Sequence, residues 1–162
     1  TNQHLKELTD YLREDEEPVV LILFGDHNPW MGDGNTVYEA MGLNLDLSTE
    51  EGFYNYYATR YIIWANDAAK EVLGSDFQGE GPTISPNFLM NVVFQQCGWE
   101  GPAYLQALEP VMEQVPVINT ATGLYVENGQ VTDTLSPEGA ALVQEYSCLQ
   151  YYRRQNFAYR TE

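Results

Sequence analysis

The sequence places a carboxylate and an imidazole side by side, at Asp26 and His27. They follow the apolar run 19–24, whose β-branched residues predict a strand buried on both faces, as in a parallel α/β sheet. Active sites of open α/β sheets lie beyond the carboxyl ends of such strands. One hard oxygen ligand and one borderline nitrogen ligand suit a divalent cation such as Zn²⁺ or Mn²⁺. Gly25 permits the turn that lets both side chains face one ion, and a solvated Asp–His pair in a loop is the plain alternative.

Two ligands do not complete a catalytic metal site, which takes about three protein ligands and one open position. The other histidine, His4, is expected to be a surface residue. Asp33 and Asp46 are further carboxylates, but no motif supports them as ligands and loop solubility explains them. The sequence contains no Gly-x-Ser-x-Gly elbow, phosphate loop or dinucleotide fingerprint. A complete small hydrolase that uses Asp26 and His27 alone is therefore the least favoured interpretation.

The patterns along the chain predict an α/β fold that positions this pair, in one domain over residues 1–162. A second strand is expected at 59–64, and Asn128-Gly129 predicts a short antiparallel hairpin before a long terminal helix at 136–156. Ser48 and Asn66 are expected to be N-caps. The other helical segments are expected at 5–13, 37–41, 86–97 and 103–115, with Pro110 ending or kinking the last of these.

Composition restricts the classes of partner. The chain has 162 residues and a formal charge of −17, so its surface repels nucleic acid and anionic membranes. Its apolar runs are all shorter than the roughly 20 residues that span a bilayer, and the segment is expected to be soluble. Cys97 and Cys148 fit no metal-ligand spacing and are expected to pair or to remain buried thiols.

Three stretches of the chain carry a family resemblance. They read LILFGDHNP at 21–29, YIIWAN at 61–66 and ISPNFL at 84–89. In order and spacing they resemble the late metal-binding strand, and the stretches after it, of the sulfatase family in the alkaline phosphatase superfamily. The resemblance is to its lipoteichoic acid synthase and phosphoglycerol transferase branch in particular, and runs from about Leu5 to about Leu108. It implies a partial alkaline-phosphatase-like sheet flanked by helices.

The resemblance implies a role for two residues. The Asp and His of the family's Gly-Asp-His motif bind the catalytic metal, and these positions are Asp26 and His27 here. The family's nucleophile, remaining ligands and substrate-binding histidine lie upstream of this motif and have no counterpart in the sequence, so no catalytic residue is assigned. Arg60 stands where many members have proline. Asn28 and Trp30 could line the pocket, although a turn residue and a packing residue are their plainer interpretations.

The function predicted from this resemblance is that of a C-terminal fragment of a larger catalytic domain. The parent would be a metal-dependent sulfatase-like phosphotransferase that transfers or hydrolyses phosphoglycerol or related phosphoesters on cell-surface polymers, and the segment alone would be inactive. Mn²⁺ is the first candidate cofactor, with Zn²⁺, Mg²⁺ and Ca²⁺ as alternatives. The expected partners are the missing N-terminal part of the protein and a phosphoglycerol, lipid-linked, or sulfate or phosphate ester substrate. The resemblance places the parent at the extracellular face of the cell membrane.

A stand-alone acidic binding module without catalysis is the alternative from a different class. An upstream reading frame of several hundred residues with hydrophobic spans would favour the fragment, and a start codon near Thr1 would favour the module. A fragment is also expected to self-associate through the apolar edge left by its missing half. Aromatic residues that could contribute to this edge are Tyr54, Tyr56, Tyr57 and Trp64.

Overall fold

The computed structural model describes residues 2–156. The chain divides into two compact units, Thr1–Gln78 and Gly79–Glu162, and each is described by itself. The single domain expected from the sequence stays a prediction. Among residues 2–156, no helix is both long enough and apolar enough to cross a membrane.

The first unit combines four helices with a two-stranded sheet in its described part. Residues Asp33–Asn35 form an additional turn of 3₁₀ helix. The elements are α1 (Asn2–Arg13), β1 (Val20–Phe24), α2 (Thr36–Ala40), α3 (Glu50–Tyr57), β2 (Tyr61–Ala65) and α4 (Asp67–Leu73).

Strands β1 and β2 pair antiparallel, with Ile22 opposite Ile63 and Phe24 opposite Tyr61. The parallel arrangement expected for the run 19–24 is therefore wrong for this pair. Both strands are short and apolar throughout, and such a run does not reveal the direction of its partner. The expected burial on both faces is also only partly realised, because β1 is half-buried along its length and Phe24 is exposed.

Asn66 fixes the start of α4, as the sequence predicts. Its side-chain oxygen accepts hydrogen bonds from the Ala69 amide at 2.9 Å and from the Val19 amide at 3.0 Å. Its amide group also donates to three backbone carbonyls at 2.8–3.1 Å, those of Leu12, Asp15 and Glu17. With Asn66 only 1% exposed, one side chain satisfies backbone groups of three segments. Gly74 ends the helix in the left-handed conformation that favours glycine.

Helix α3 begins one residue later than expected. Thr49, and not Ser48, is its N-cap, and the Thr49 hydroxyl accepts a hydrogen bond from the Gly52 amide at 3.0 Å. The Ser48 hydroxyl instead donates to the Asp46 carboxylate at 2.7 Å, in the loop before the helix. Gly52 is required here because a Cβ atom at this position would overlap the backbone of Asp46.

The second unit contains three helices and a three-stranded antiparallel sheet in its described part, ordered β3-β4-β5. The chain enters it through a 3₁₀ turn at Pro86–Phe88. The elements are α5 (Leu89–Gln96), α6 (Ala103–Gln114), β3 (Val117–Asn119), β4 (Leu124–Glu127), β5 (Gln130–Thr132) and α7 (Pro137–Gln155). The mixed α/β class, the hairpin at Asn128-Gly129 and the long terminal helix are confirmed.

Helix α6 continues through Pro110 to Gln114, so the proline does not end it. A proline inside a helix removes one backbone hydrogen bond and costs about 3 kcal/mol. The side chains around it offset this cost, because Leu108 and Val111 are fully buried and Met112 is nearly so. Of the two expected effects of Pro110, ending the helix is therefore wrong, and the kink stays a prediction.

Candidate functional site

The loop that carries Asp26 and His27 leaves the sheet beside the start of β2. The amide of Gly25 donates to the Arg60 carbonyl at 3.1 Å, and the Thr59 hydroxyl donates to the Gly25 carbonyl at 2.7 Å. Gly25 is not in the left-handed region, so its expected role as a conformationally free turn residue is wrong. Glycine is favoured at this position for a different reason, because a Cβ atom there would lie only 3.0 Å from the Cβ of Thr59.

Asp26 and His27 point to one another. The Oδ2 atom of Asp26 lies 3.5 Å from the Nε2 atom of His27. The other carboxylate oxygen, Oδ1, accepts a hydrogen bond from the His27 backbone amide at 2.9 Å. Both side chains are open to solvent, with exposed fractions of 79% for Asp26 and 76% for His27.

A second contact orients the imidazole. The Nδ1 atom of His27 lies 2.9 Å from the carbonyl oxygen of Asn28. A carbonyl oxygen can only accept, so Nδ1 must carry the proton. In the neutral ring this leaves the lone pair on Nε2, the atom that faces Asp26. Histidine ligands of metals usually have this arrangement, with the second ring nitrogen donating to a carbonyl or carboxylate.

The pair has the spacing of two ligands on one ion. Two donor atoms about 2.1 Å from a tetrahedral cation lie roughly 3.4 Å apart. The separation between Oδ2 and Nε2 is 3.5 Å, so both atoms can reach one divalent cation with little rearrangement. No group of three or more His, Cys, Asp or Glu residues suited to a metal occurs within residues 2–156. Further ligands would have to come from outside these residues or from water.

Asn28 links this loop to helix α3. Its side-chain amide donates to three carbonyl oxygens at 3.1–3.3 Å, those of Asn55, Tyr56 and Ala58. The last carbonyls of a helix have no hydrogen-bond donor within the helix, and the Asn28 amide supplies donors to these carbonyls at the end of α3. Asn28 also lines the cleft beside Asp26 and His27. The residue therefore both connects the loop to α3 and contributes to the surface of the cleft.

Trp30 lines the same cleft, which has a volume of about 260 Å³. The ring is 69% exposed, so it is not the packing residue that the plainer interpretation expected. Both residues assigned to the pocket from the sequence therefore line it together with Asp26 and His27. The remaining lining residues are Pro29, Asn35, Tyr38, Leu45, Asn55, Tyr56 and Tyr57.

An aromatic group at the end of α3 forms part of this lining. The rings of Tyr56 and Tyr57 have centroids 4.8 Å apart, and Tyr57 packs at 5.5 Å against Phe53. Phe53 is only 2% exposed and anchors the group. From the sequence, these tyrosines are expected only as contributors to an exposed edge. Tyr56 and Tyr57 lie just before β2 in the sequence, and the start of β2 pairs with the end of β1. This position in the chain is the signal that could have placed the two tyrosines beside the loop after β1.

The remaining candidate residues lie outside the cleft. His4 is exposed on α1, and Asp33 lies in the 3₁₀ turn. Asp46 orders its own loop, and the hydroxyl and amide of Ser48 lower the pKa of its carboxyl group. These residues do not add ligands to the Asp26–His27 pair.

The two cysteines are both free, so of the two alternatives expected from the sequence pairing is wrong, and the buried thiol is confirmed for Cys97 only. Cys97 is buried, and burial raises the pKa of its thiol. Cys148 is exposed on α7.

Comparisons with known proteins identify a distant relative of the chain. The chain is 28% identical over 165 residues to a protein of Rhizobium meliloti (strain 1021) named "Putative cyclic beta-1,2-glucan modification protein". The match covers 98% of this chain and 24% of that protein, so the chain spans about a quarter of its relative's length. No protein-family model matches the chain. No solved structure matches it.

Proposed function

We propose that the chain is the C-terminal part of a metal-dependent, sulfatase-like phosphotransferase that modifies a glycan outside the cell. It contributes two metal ligands, Asp26 and His27, and is inactive alone. The observation that carries this proposal is the geometry of the pair: Oδ2 and Nε2 are 3.5 Å apart, and Nδ1 is held by the Asn28 carbonyl. That arrangement fits two ligands of one divalent cation. Mn²⁺ is the first candidate because of the family resemblance of the sequence, and the spacing does not itself select the metal.

The relative's name agrees with the chemistry that the sequence resemblance implies. Phosphoglycerol transfer to a cell-surface polymer is one way to modify a glucan, so a glucan is the acceptor class we assign. A bound cation would act as a Lewis acid that lowers the pKa of an attacking hydroxyl and neutralises charge on the transferred phosphoryl group. The chain's own part is to hold the carboxylate and imidazole in position through the contacts of Gly25, Asn28 and Thr59.

The β1–β2 sheet supports the assignment to a larger catalytic domain. Its residues alternate between two faces, and Phe24 and Ile62 lie on opposite ones. Both side chains are exposed, by 59% and 53%, and their apolar neighbours on the strands are mostly half-buried. A two-stranded apolar sheet is poorly stable without further cover. The N-terminal part of the same protein is the partner that we assign to these faces.

Calorimetric titration of Mn²⁺ and Zn²⁺ into the 162-residue chain tests the ligand assignment. We expect weak binding that is lost in Asp26→Ala and in His27→Ala, because two ligands give an incomplete site. Asp33→Ala removes an exposed carboxylate outside the cleft and should leave the binding unchanged. Binding that is insensitive to Asp26→Ala would refute the assignment. Tight binding that requires Asp26 would mean that the chain completes a metal site itself, and the fragment proposal would fail.

Activity is tested in the longer gene product, with phosphoglycerol transfer to a glucan as the readout. Asp26→Ala and His27→Ala are expected to lower transfer by at least about a hundredfold, because each removes a ligand of the catalytic cation. Full transfer by either variant would contradict the proposal. A reading frame that starts near Thr1, together with binding of a protein or glycan without transfer, would favour the acidic binding module instead.

A further inference from the structure

Trp30 presents a large apolar face to solvent at a fixed position in the chain. The residue before it, Pro29, accepts a hydrogen bond at its carbonyl from the Tyr38 hydroxyl at 2.7 Å. The residue after it, Met31, donates from its amide to Asn35 at 3.3 Å. The backbone is therefore held on both sides of an indole that remains 69% exposed. An exposed aromatic ring on a fixed backbone in a cleft is typical of a ligand contact.

The other aromatic members of the cleft are also held in place. Tyr57 packs against the buried ring of Phe53, and Tyr56 packs against Tyr57. Asn28 ties the end of α3, which carries both tyrosines, to the loop that leads to Trp30. A ligand that enters this cleft would meet rings that need little reorganisation, which lowers the entropic cost of binding.

The charges of the lining favour a neutral ligand. Among the described residues, no Lys or Arg lines the cleft, and Asp26 adds a carboxylate. The whole chain carries a formal charge of −17. A phosphate or carboxylate group would be repelled here in the absence of a cation. The side-chain nitrogens of Asn28 and Asn55 already donate to backbone carbonyls. The groups suited to neutral hydroxyls are therefore the amide oxygens of these two residues and the tyrosine hydroxyls.

From these observations we infer that the cleft binds one pyranose ring of a neutral sugar, with an apolar face of the ring stacked on Trp30. A pyranose has C–H groups on its faces and hydroxyls around its rim, which matches aromatic rings flanked by amides and phenols. The volume of about 260 Å³ is slightly below the roughly 300–1,000 Å³ of sites for drug-sized ligands, so one ring fits better than a longer oligosaccharide. This inference rests on the proposed function, since it names where the acceptor glycan binds.

NMR titration of the full chain tests the inference, with the indole N–H signal of Trp30 as the reporter. The probe is methyl β-D-glucopyranoside, whose ring carries apolar C–H faces. Sorbitol is the matched control ligand, because it has similar hydroxyls but no ring. We expect the glucoside to shift the Trp30 signal in a saturable manner and sorbitol to leave it unchanged.

Substitutions separate stacking from general surface effects. In Trp30→Ala and Trp30→Phe, which lack the indole reporter, binding is followed by the side-chain amide signals of Asn28 and Asn55, which line the same cleft. Trp30→Ala is expected to weaken glucoside binding by roughly tenfold, and Trp30→Phe by no more than about threefold, because Phe retains an aromatic face. Tyr11→Ala removes an aromatic ring that is 70% exposed on α1, outside the cleft, and should have no effect. The high exposure of Trp30 means that its substitution should leave folding intact, which circular dichroism checks.

Three results would overturn the inference: no binding of the glucoside, equal binding of sorbitol, or glucoside binding that survives Trp30→Ala. A shift of the Trp30 signal by glycerol 1-phosphate alone would also overturn it, since the cleft would then take an anion. Failure of this kind is distinguishable from failure of the proposed function. The proposed function depends on Mn²⁺ binding through Asp26, and the sugar titration is made without added metal.

Discussion

The side-chain Nδ2 atom of Asn28 lies 3.1 Å from the carbonyl oxygen of Tyr56. This hydrogen bond joins the loop after β1 to the end of α3, and the same amide also donates to the carbonyls of Asn55 and Ala58. The carbonyl oxygen of Asn28 meanwhile orients His27. One residue therefore connects the proposed metal ligands with the aromatic side of the cleft.

Replacement of Asn28 should disturb both features together. In Asn28→Asp the donor becomes an acceptor that faces three carbonyl oxygens, and we expect a loss of about 1–3 kcal/mol in the stability of this region. Asn28→Ala should cost less, because water can reach the freed carbonyls. Hydrogen exchange at the end of α3 is the first measurement, and protection there should be lowered more by Asp than by Ala. Mn²⁺ affinity is measured in Asn28→Ala, which adds no carboxylate beside the metal ligands, and should be lowered.

Asn128→Asp provides the control for Asn28→Asp. It makes the same chemical change at an exposed hairpin turn, and the positive φ of that residue is one that Asp also tolerates. We therefore expect Asn128→Asp to change the stability of the chain very little. Unaltered exchange at the end of α3 in Asn28→Asp would show that the amide does not hold the loop.

Asn66 should be the most sensitive polar position of the first unit. Both ends of its buried amide are used, with two donors at its oxygen and three carbonyls at its nitrogen. We expect Asn66→Asp and Asn66→Ala to cost at least about 3 kcal/mol, because several buried backbone groups lose partners. Asn66→Ser should be more stable than Asn66→Ala by only about 1 kcal/mol, because serine restores the helix cap but not the other hydrogen bonds. Urea unfolding followed by tryptophan fluorescence measures these losses, and equal stability of the Ser variant and the wild type would contradict the network.

Much of the local structure could be predicted from the sequence because its signals are local. Asn66 and Gly74 bound α4, and Ser136 precedes the first turn of α7, as their residue types indicate. Asn128 and Gly129 both have the positive φ that their hairpin turn requires. Each of these outcomes depends on residues a few positions apart.

The relationships that the sequence analysis missed involve residues far apart in the chain. The direction of β1–β2 pairing depends on the path of the chain between the two strands. An apolar run is compatible with either direction. Glycine is favoured at position 25 because Thr59 packs closely against it, which the order of residues does not reveal. Asn28 could be placed in the pocket, but its hydrogen bonds to the end of α3 span about 30 positions and became visible only in the structure.

The exposed apolar faces of the β1–β2 sheet predict self-association when their partner is absent. The double variant Phe24→Ser, Ile62→Thr removes one large exposed side chain from each face and should shift the chain towards monomer. Sedimentation velocity at high concentration measures the change. Tyr11→Ser removes an aromatic residue outside the sheet that is even more exposed, and it should leave the association unchanged. A wild-type chain that is monomeric at high concentration would contradict the prediction.

Glu127 should make the second unit sensitive to acid. Its carboxylate accepts hydrogen bonds from the Ser136 amide at 2.8 Å and the Ser136 hydroxyl at 2.6 Å, and from Gln114 at 3.0 Å. These donors lower the pKa of the carboxyl group, the Ser136 amide most strongly. A carboxyl whose pKa is lower in the folded state stabilises folding above the unfolded pKa. This contribution is lost as the pH falls through the folded pKa.

Urea unfolding of Glu127→Gln beside the wild type, from neutral pH downwards, tests this dependence. At neutral pH the variant should be less stable, because a neutral amide accepts these hydrogen bonds more weakly than a carboxylate. The difference should shrink as the pH falls from the ordinary glutamate pKa of about 4.3 through the lower pKa of the folded state. In this range the unfolded chain is protonated first and the folded carboxylate afterwards, which removes the advantage of the charged form. Glu113→Gln changes an exposed glutamate on α6, and its small effect should vary little with pH. A stability difference for Glu127→Gln that stays constant down to about pH 3 would show that the hydrogen bonds of Ser136 do not favour the charged form.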